Sequence, residues 1–268
     1  MKKILLLAVA LVASVAVYAQ EYKFSRDIVY RSVDDYAEKM CRVDIATPEG
    51  AQGAPVIVWF HGGGLTGGRR EIPQAIMRDG CVVVGVGYRF SPNVKVTEIV
   101  DDAAAAVAWV FNNIDKYGGN PESIYIAGHS AGGYLVTMVG LEKARLEKYG
   151  IDANKLKGII PFSGQAITHI EERRSRGIAN TQPLVDELSP LYHVRGDSAP
   201  ILILSGDREM EMLGRYEENA YMWRVFQLVK HPDATLYELD GYGHNMCDPA
   251  YALLLRFIRQ HENPQQRR

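Results

Sequence analysis

The sequence has no excess of charge of either sign. Its 30 Lys and Arg are balanced by 32 Asp and Glu, for a net charge of −2 over 268 residues. No global positive field exists to hold a phosphate backbone, so no nucleic-acid partner is expected. Cysteine is scarce as well. Three thiols, Cys41, Cys81 and Cys247, are too few for a disulfide scaffold and cannot all pair with one another. No Cys and His fall at zinc-site spacing, and no metal is expected. A membrane-spanning run is missing too: the longest apolar stretch, Ile4–Val17, is 14 residues, against the ~18–20 that a bilayer requires. There is no internal repeat, no low-complexity tract and no linker. What remains is ordinary globular composition, 47% apolar and 23% charged, which suits one large domain.

The amino terminus reads as a targeting segment. Lys2 and Lys3 form a positive start, Ile4–Val17 is apolar except for Ser14, and Val17-Tyr18-Ala19 offers small residues at a cleavage site. This pattern predicts a signal peptide over residues 1–19, cleavage near Ala19, and export to the periplasm or beyond with no stable membrane anchor. Residues 20–268 are then one catalytic domain.

Within that domain, short apolar runs alternate with helical patterns. Val56–Phe60, Cys81–Val86, Ile124–Ala127, Gly158–Phe162 and Ile201–Leu204 suit strands covered on both faces, and Leu236–Leu239 fits one more. Arg42–Ala46 alternates and reads as a half-buried antiparallel strand. Helical patterns lie near Thr97–Lys116, Ala131–Tyr149, Tyr216–Lys230 and Pro249–Arg259. The order predicts an α/β fold with a doubly wound, mostly parallel sheet and right-handed crossovers. Gly164–Ala199 has no clear strand; its charged run Glu171–Arg176 reads as a solvated helix face, or else as part of a small cap over the strand ends.

Four short motifs carry chemistry. Gly128-His129-Ser130-Ala131-Gly132 follows a predicted strand and opens a predicted helix, the context in which a serine is held up on a tight turn as a nucleophile. His61-Gly62-Gly63-Gly64 follows another strand. Its backbone N–H groups at Gly63 and Gly64, with that of Ala131, would form an oxyanion hole. A phosphate cradle is the competing reading, but the lysine of a P-loop is missing. Gly243-His244-Asn245 follows the last strand, where the base of such a site sits. The acid should follow Ile201–Leu204, and both Asp207 and Glu209 qualify chemically in Ser205-Gly206-Asp207-Arg208-Glu209.

These motifs, together with Tyr88-Arg89-Phe90-Ser91-Pro92 and Gly118-Gly119-Asn120-Pro121, resemble the α/β-hydrolase esterases of the hormone-sensitive-lipase type. The likeness runs from about Arg42 to Arg256. Compact size and an export signal make the chain most similar to the bacterial feruloyl-esterase and acetylxylan-esterase-like branch. The resemblance implies an α/β-hydrolase fold and a serine carboxylesterase that works without a cofactor through an acyl-enzyme. It implies small-molecule or polysaccharide substrates with short-acyl, acetyl or feruloyl esters. In these families the acid often stands three positions after the strand-end glycine, which points to Glu209, with Asp207 as the alternative. Gln165 and His169 follow a strand end and are candidates to line the substrate pocket. Hydrolysis of amide or peptide bonds on the same fold is the alternative activity, and a non-catalytic binding protein a further one.

Overall fold

The apolar runs form strands because they are apolar on both faces, and such strands are stable only between two layers. In the computed structural model, which describes residues 20–212, 214–263 and 265, the order is β1 (Tyr22–Val29), α1 (Asp35–Met40), β2 (Arg42–Pro48), β3 (Ala54–Phe60), β4 (Val82–Val86), α2 (Val96–Asn113), β5 (Gly119–His129), α3 (Ala131–Leu141), α4 (Ala144–Glu147), β6 (Gly158–Phe162), α5 (Ile170–Ser175), β7 (Ile201–Gly206), α6 (Arg215–Leu228), β8 (Ala234–Leu239) and α7 (Cys247–Glu262). The predicted signal segment lies outside the described residues.

The eight strands make one sheet in the order β1-β2-β4-β3-β5-β6-β7-β8. β1 and β2 are antiparallel to their neighbours, and β4 through β8 run parallel. This is the mostly parallel, doubly wound sheet expected from the sequence. Alternate side chains of β3 show why both faces are covered. Val56, Val58 and Phe60 enter one core with Val100 and Val107 of α2 and Leu135 of α3. Ile57 and Trp59 enter the other, with Leu254, Phe257 and Ile258 of α7. Among the described residues no helix is long and apolar enough to cross a membrane.

The structure departs from the sequence reading in a few places. β2 is buried rather than half-buried: even Asp44 is only 7% exposed, because β1 covers the edge and Arg70 pairs with Asp44 at 3.0 Å. β1 has no clean period, since a register shift between Ser25 and Ile28, with Asp27 at φ 57°, breaks its alternation. The helix expected over Ala131–Tyr149 ends at Leu141, where Glu142 turns to an extended backbone. The charged run Glu171–Arg176 does carry a helix, α5, but it is not simply a solvated face. Arg173 is buried and donates to the carbonyls of Thr168, Asn180 and Gln182, tying the irregular segment after β6 into one piece.

Candidate active site

The C-terminal ends of the parallel strands point the same way, and the chemistry collects there. Between β5 and α3 the chain reverses within one residue. Ser130 takes φ 55° and ψ −114°, a backbone that only a tightly held turn sustains. Its N–H donates to the Phe162 carbonyl of the adjacent strand at 2.8 Å. A β-carbon at Gly132 would collide with the carbonyl of Phe60, so the turn can pack against β3 only with glycine there. α3 begins at Ala131, and its positive N-terminal end lies beside the serine.

The glycine loop leaves β3 next to this turn. Gly63 adopts φ 121°, and a β-carbon there would strike the Gly67 carbonyl. The loop closes on itself through the N–H groups of Thr66 and Gly67, which both donate to the Gly63 carbonyl at 3.1 Å. Residues 88–91 hold it from outside. Tyr88 stacks on His61 at 4.4 Å between ring centres, and its hydroxyl donates to the His61 carbonyl at 2.7 Å. Ser91 N–H donates to the Leu65 carbonyl at 2.8 Å. Arg89 in turn grips Asp102 of α2 with two bonds of 2.8 Å. Asp102 is fully buried and also meets Arg31 at 3.0 Å. Burial pushes the His61 imidazole down to about 4, so it is a neutral packing element of this loop.

His244 sits across from the serine. Its Nε2 is 2.9 Å from Ser130 Oγ, and its Nδ1 is 2.7 Å from Glu211 Oε1. A carboxylate can only accept, so Nδ1 carries the proton and Nε2 is free to accept from the serine hydroxyl. The Glu211 side chain has no exposure. Besides His244 it accepts from Ser163 Oγ, from Met212 N–H at 2.8 Å and from Gly206 N–H at 3.2 Å. Burial opposes its ionisation, but the hydrogen bonds from His244, Ser163 and Met212 outweigh it and hold the carboxyl down at about 2. It therefore stays charged at any ordinary pH.

Two of the sequence expectations need correcting here. Neither Glu209 nor Asp207 reaches His244. Asp207 opens a single helical turn: its carbonyl accepts from Met210 N–H at 2.9 Å and from Glu211 N–H at 2.8 Å. Its carboxylate caps two loop N–H groups, those of Glu209 at 2.9 Å and Gly241 at 2.9 Å. That turn swings Glu209 outward, where it is exposed, and brings Glu211 back over the strand end. A fixed offset from Gly206 cannot anticipate an added turn. The available signal was the capping aspartate itself, which marks the start of such a turn.

Gln165 and His169 stand near the strand ends but serve the backbone instead. Gln165 is 5% exposed and His169 2%. The Gln165 side-chain oxygen accepts from Ile170 N–H at 3.0 Å, and His169 Nδ1 accepts from Glu171 N–H at 3.1 Å, capping α5. Burial, with Arg215, Arg173 and Arg174 nearby, keeps His169 neutral, down at about 3. His129 has a role that the sequence reading did not assign. Its Nε2 donates to the His244 carbonyl at 2.9 Å, so the residue before Ser130 anchors the histidine loop directly. Arg70 pairs with Asp27 and Asp44. All three cysteines are free thiols. Cys247 opens α7, and burial pushes its thiol up to about 12. Among the described residues no cluster of three or more His, Cys, Asp or Glu could hold a metal ion.

Known proteins share this framework. A probable isoprenylcysteine α-carbonyl methylesterase of Oryza sativa subsp. japonica is 28% identical over 66% of this chain and 47% of its own length. A probable carboxylic ester hydrolase, LipM, of Mycobacterium tuberculosis is 29% identical over 67% of this chain and 46% of its own. The chain thus spans about half the length of the curated relatives it matches. Among solved structures, a thermophilic esterase of the Planctomycetes species Thermogutta terrifontis superposes with a TM-score of 0.71 at 24% identity, over 91% of this chain and 92% of that one. A truncated carbohydrate esterase from gut microbiota superposes at 0.73 with 18% identity, over 89% of this chain and 96% of that one. These likenesses establish the α/β-hydrolase fold. The BD-FAE family profile matches residues 43–213, well over half the chain, from β2 through the loop that carries Glu211; the chain belongs to the BD-FAE family.

Proposed function

We propose that this protein is a serine carboxylesterase. The observation that carries the reading is the continuous hydrogen-bond chain from Ser130 Oγ through His244 to Glu211. His244 Nε2 takes the Ser130 proton as the oxygen attacks the ester carbonyl carbon. The carbonyl oxygen becomes an oxyanion facing the N–H groups of Gly63, Gly64 and Ala131. Glu211 stabilises the imidazolium through Nδ1. The imidazolium then gives its Nε2 proton to the departing alcohol oxygen, and the acyl group remains on Ser130. A water, deprotonated by His244, attacks that acyl carbon; the carboxylic acid leaves and Ser130 regains its proton.

The substrates are short-acyl or carbohydrate-linked esters, acetyl or feruloyl. Support comes from a relative named a probable carboxylic ester hydrolase and from a structural neighbour named a carbohydrate esterase. Lys2 and Lys3 before an apolar run support export, which would put the enzyme where polysaccharide esters are found. The test is hydrolysis of p-nitrophenyl acetate near neutral pH by the parent and by Ser130→Ala. The parent should turn over, and the variant should lose at least about 10⁴-fold in kcat. A folded parent that neither hydrolyses esters nor takes a fluorophosphonate label at Ser130 would overturn the reading.

A further inference from the structure

We propose that Ser163 is a positioning residue for this reaction, its hydroxyl locking the Glu211 carboxylate against His244; the proposal rests on the serine-hydrolase reading above. Ser163 directly follows β6 and has no solvent exposure. Its hydroxyl lies against two of the reacting groups' supports at once: Oγ bonds to Glu211 Oε2 and stands 3.1 Å from His244 Nδ1. The hydroxyl has one proton, and a carboxylate can only accept. The proton therefore goes to Glu211, and an oxygen lone pair faces His244 Nδ1–H. The histidine proton is shared between Glu211 Oε1 and Ser163 Oγ, with the carboxylate the nearer at 2.7 Å.

The backbone here is held on purpose-built contacts. Ser163 has φ 50°, in the left-handed region that disfavours residues with a side chain. Glycine would take that backbone freely, so what serine adds at this place is the hydroxyl. The conformation is pinned from both ends. Ser163 N–H donates to the Leu204 carbonyl at 2.7 Å. Its own carbonyl accepts from Arg215 Nη1 of α6, and Asn219, one turn further along α6, donates to the Gly164 carbonyl at 2.8 Å. Arg215 is 7% exposed, and its buried guanidinium donates to this carbonyl. Without the Ser163 hydroxyl, Glu211 Oε2 would keep only the longer bond from Gly206 N–H at 3.2 Å, and the carboxylate's set against Nδ1 would rest on Met212 N–H at Oε1.

The experiment compares Ser163→Gly and Ser163→Ala with the parent and Ser130→Ala on p-nitrophenyl acetate. Both Ser163 variants should lose about 10- to 100-fold in kcat, the scale of one hydrogen bond to a charged group. KM should stay within about twofold, so that kcat/KM falls in step with kcat. Ser163→Gly should melt no lower than Ser163→Ala, because glycine relieves the left-handed backbone. A residue that merely shaped the loop would show the opposite: Ser163→Gly would keep the parent's kcat. That result, with Ser130→Ala inactive, overturns the positioning role alone. Activity that survives in Ser130→Ala overturns the serine reading and the positioning role with it.

Discussion

The two halves of the site are built in different ways. The nucleophile half, Ser130 with the glycine loop, is shaped by close backbone packing. Ser130 N–H bonds to the Phe162 carbonyl, and Gly63 and Gly132 sit where a β-carbon would collide with a neighbouring carbonyl. The acid and base half, Glu211 with His244, adds to the Met212 and Gly206 N–H bonds side chains from distant elements: Ser163 after β6 and His129 at the end of β5. Close backbone packing leaves a mark in sequence, because only glycine fits. Side-chain brackets leave none, because serine and histidine stand in many places for many reasons.

That difference can be broken or sharpened by substitution. The largest effect should come from Glu211→Gln, which removes the charge facing the imidazolium and should lower kcat about 10³- to 10⁴-fold. Glu209→Gln should stay within about twofold of the parent in the same assay. If Glu209→Gln were the damaging change, the helical turn from Asp207 to Glu211 would not be the working arrangement. Next comes Gly63→Ala, whose β-carbon would displace the glycine loop. Steady-state kinetics should show kcat down about 10²- to 10³-fold, as for the loss of an oxyanion donor, while the melting temperature moves less.

Asp102→Asn acts on stability. It leaves the buried Arg89 and the half-buried Arg31 facing a neutral partner and should cost about 3 kcal/mol in urea unfolding. Because Arg89 braces the loop beside the glycines, some activity should go with it. A pH effect follows from Glu211. Its folded carboxyl is held at about 2, below the ordinary 4.5, so the stability it contributes is fully present above about 4.5. That contribution is lost as pH falls toward 2. Acid unfolding of the parent should show this component, and Glu211→Gln should lack it. The smallest effect is expected for His129→Ala. It frees the His244 carbonyl and should lower kcat about tenfold or less, the scale of one neutral hydrogen bond.

Much of the fold was legible because central strands must be apolar on both faces. Val56–Phe60 and Gly158–Phe162 were read within two residues of β3 and β6. β1 was not, since its bulge at Ser25–Ile28 erases the alternation that marks a strand. In the site, Ser130 and His244 were legible from motif and chain order, and the structure brings them within 2.9 Å. Glu211 is not legible because position along the chain is not position in space. One turn opened by Asp207 moves the acid two residues on. Gln165 and His169 were correctly placed at a strand end, but the sequence does not reveal that their polar atoms are used to cap α5.

The central claim is that the His244 Nδ1 proton is held by Glu211. The most direct measurement is the low-field proton resonance of that N–H by NMR, in the parent and in the Glu209→Gln and Glu211→Gln proteins. The account predicts a resonance that is unchanged in Glu209→Gln and shifted upfield or lost to exchange in Glu211→Gln. A resonance that survives in Glu211→Gln and disappears in Glu209→Gln would contradict it.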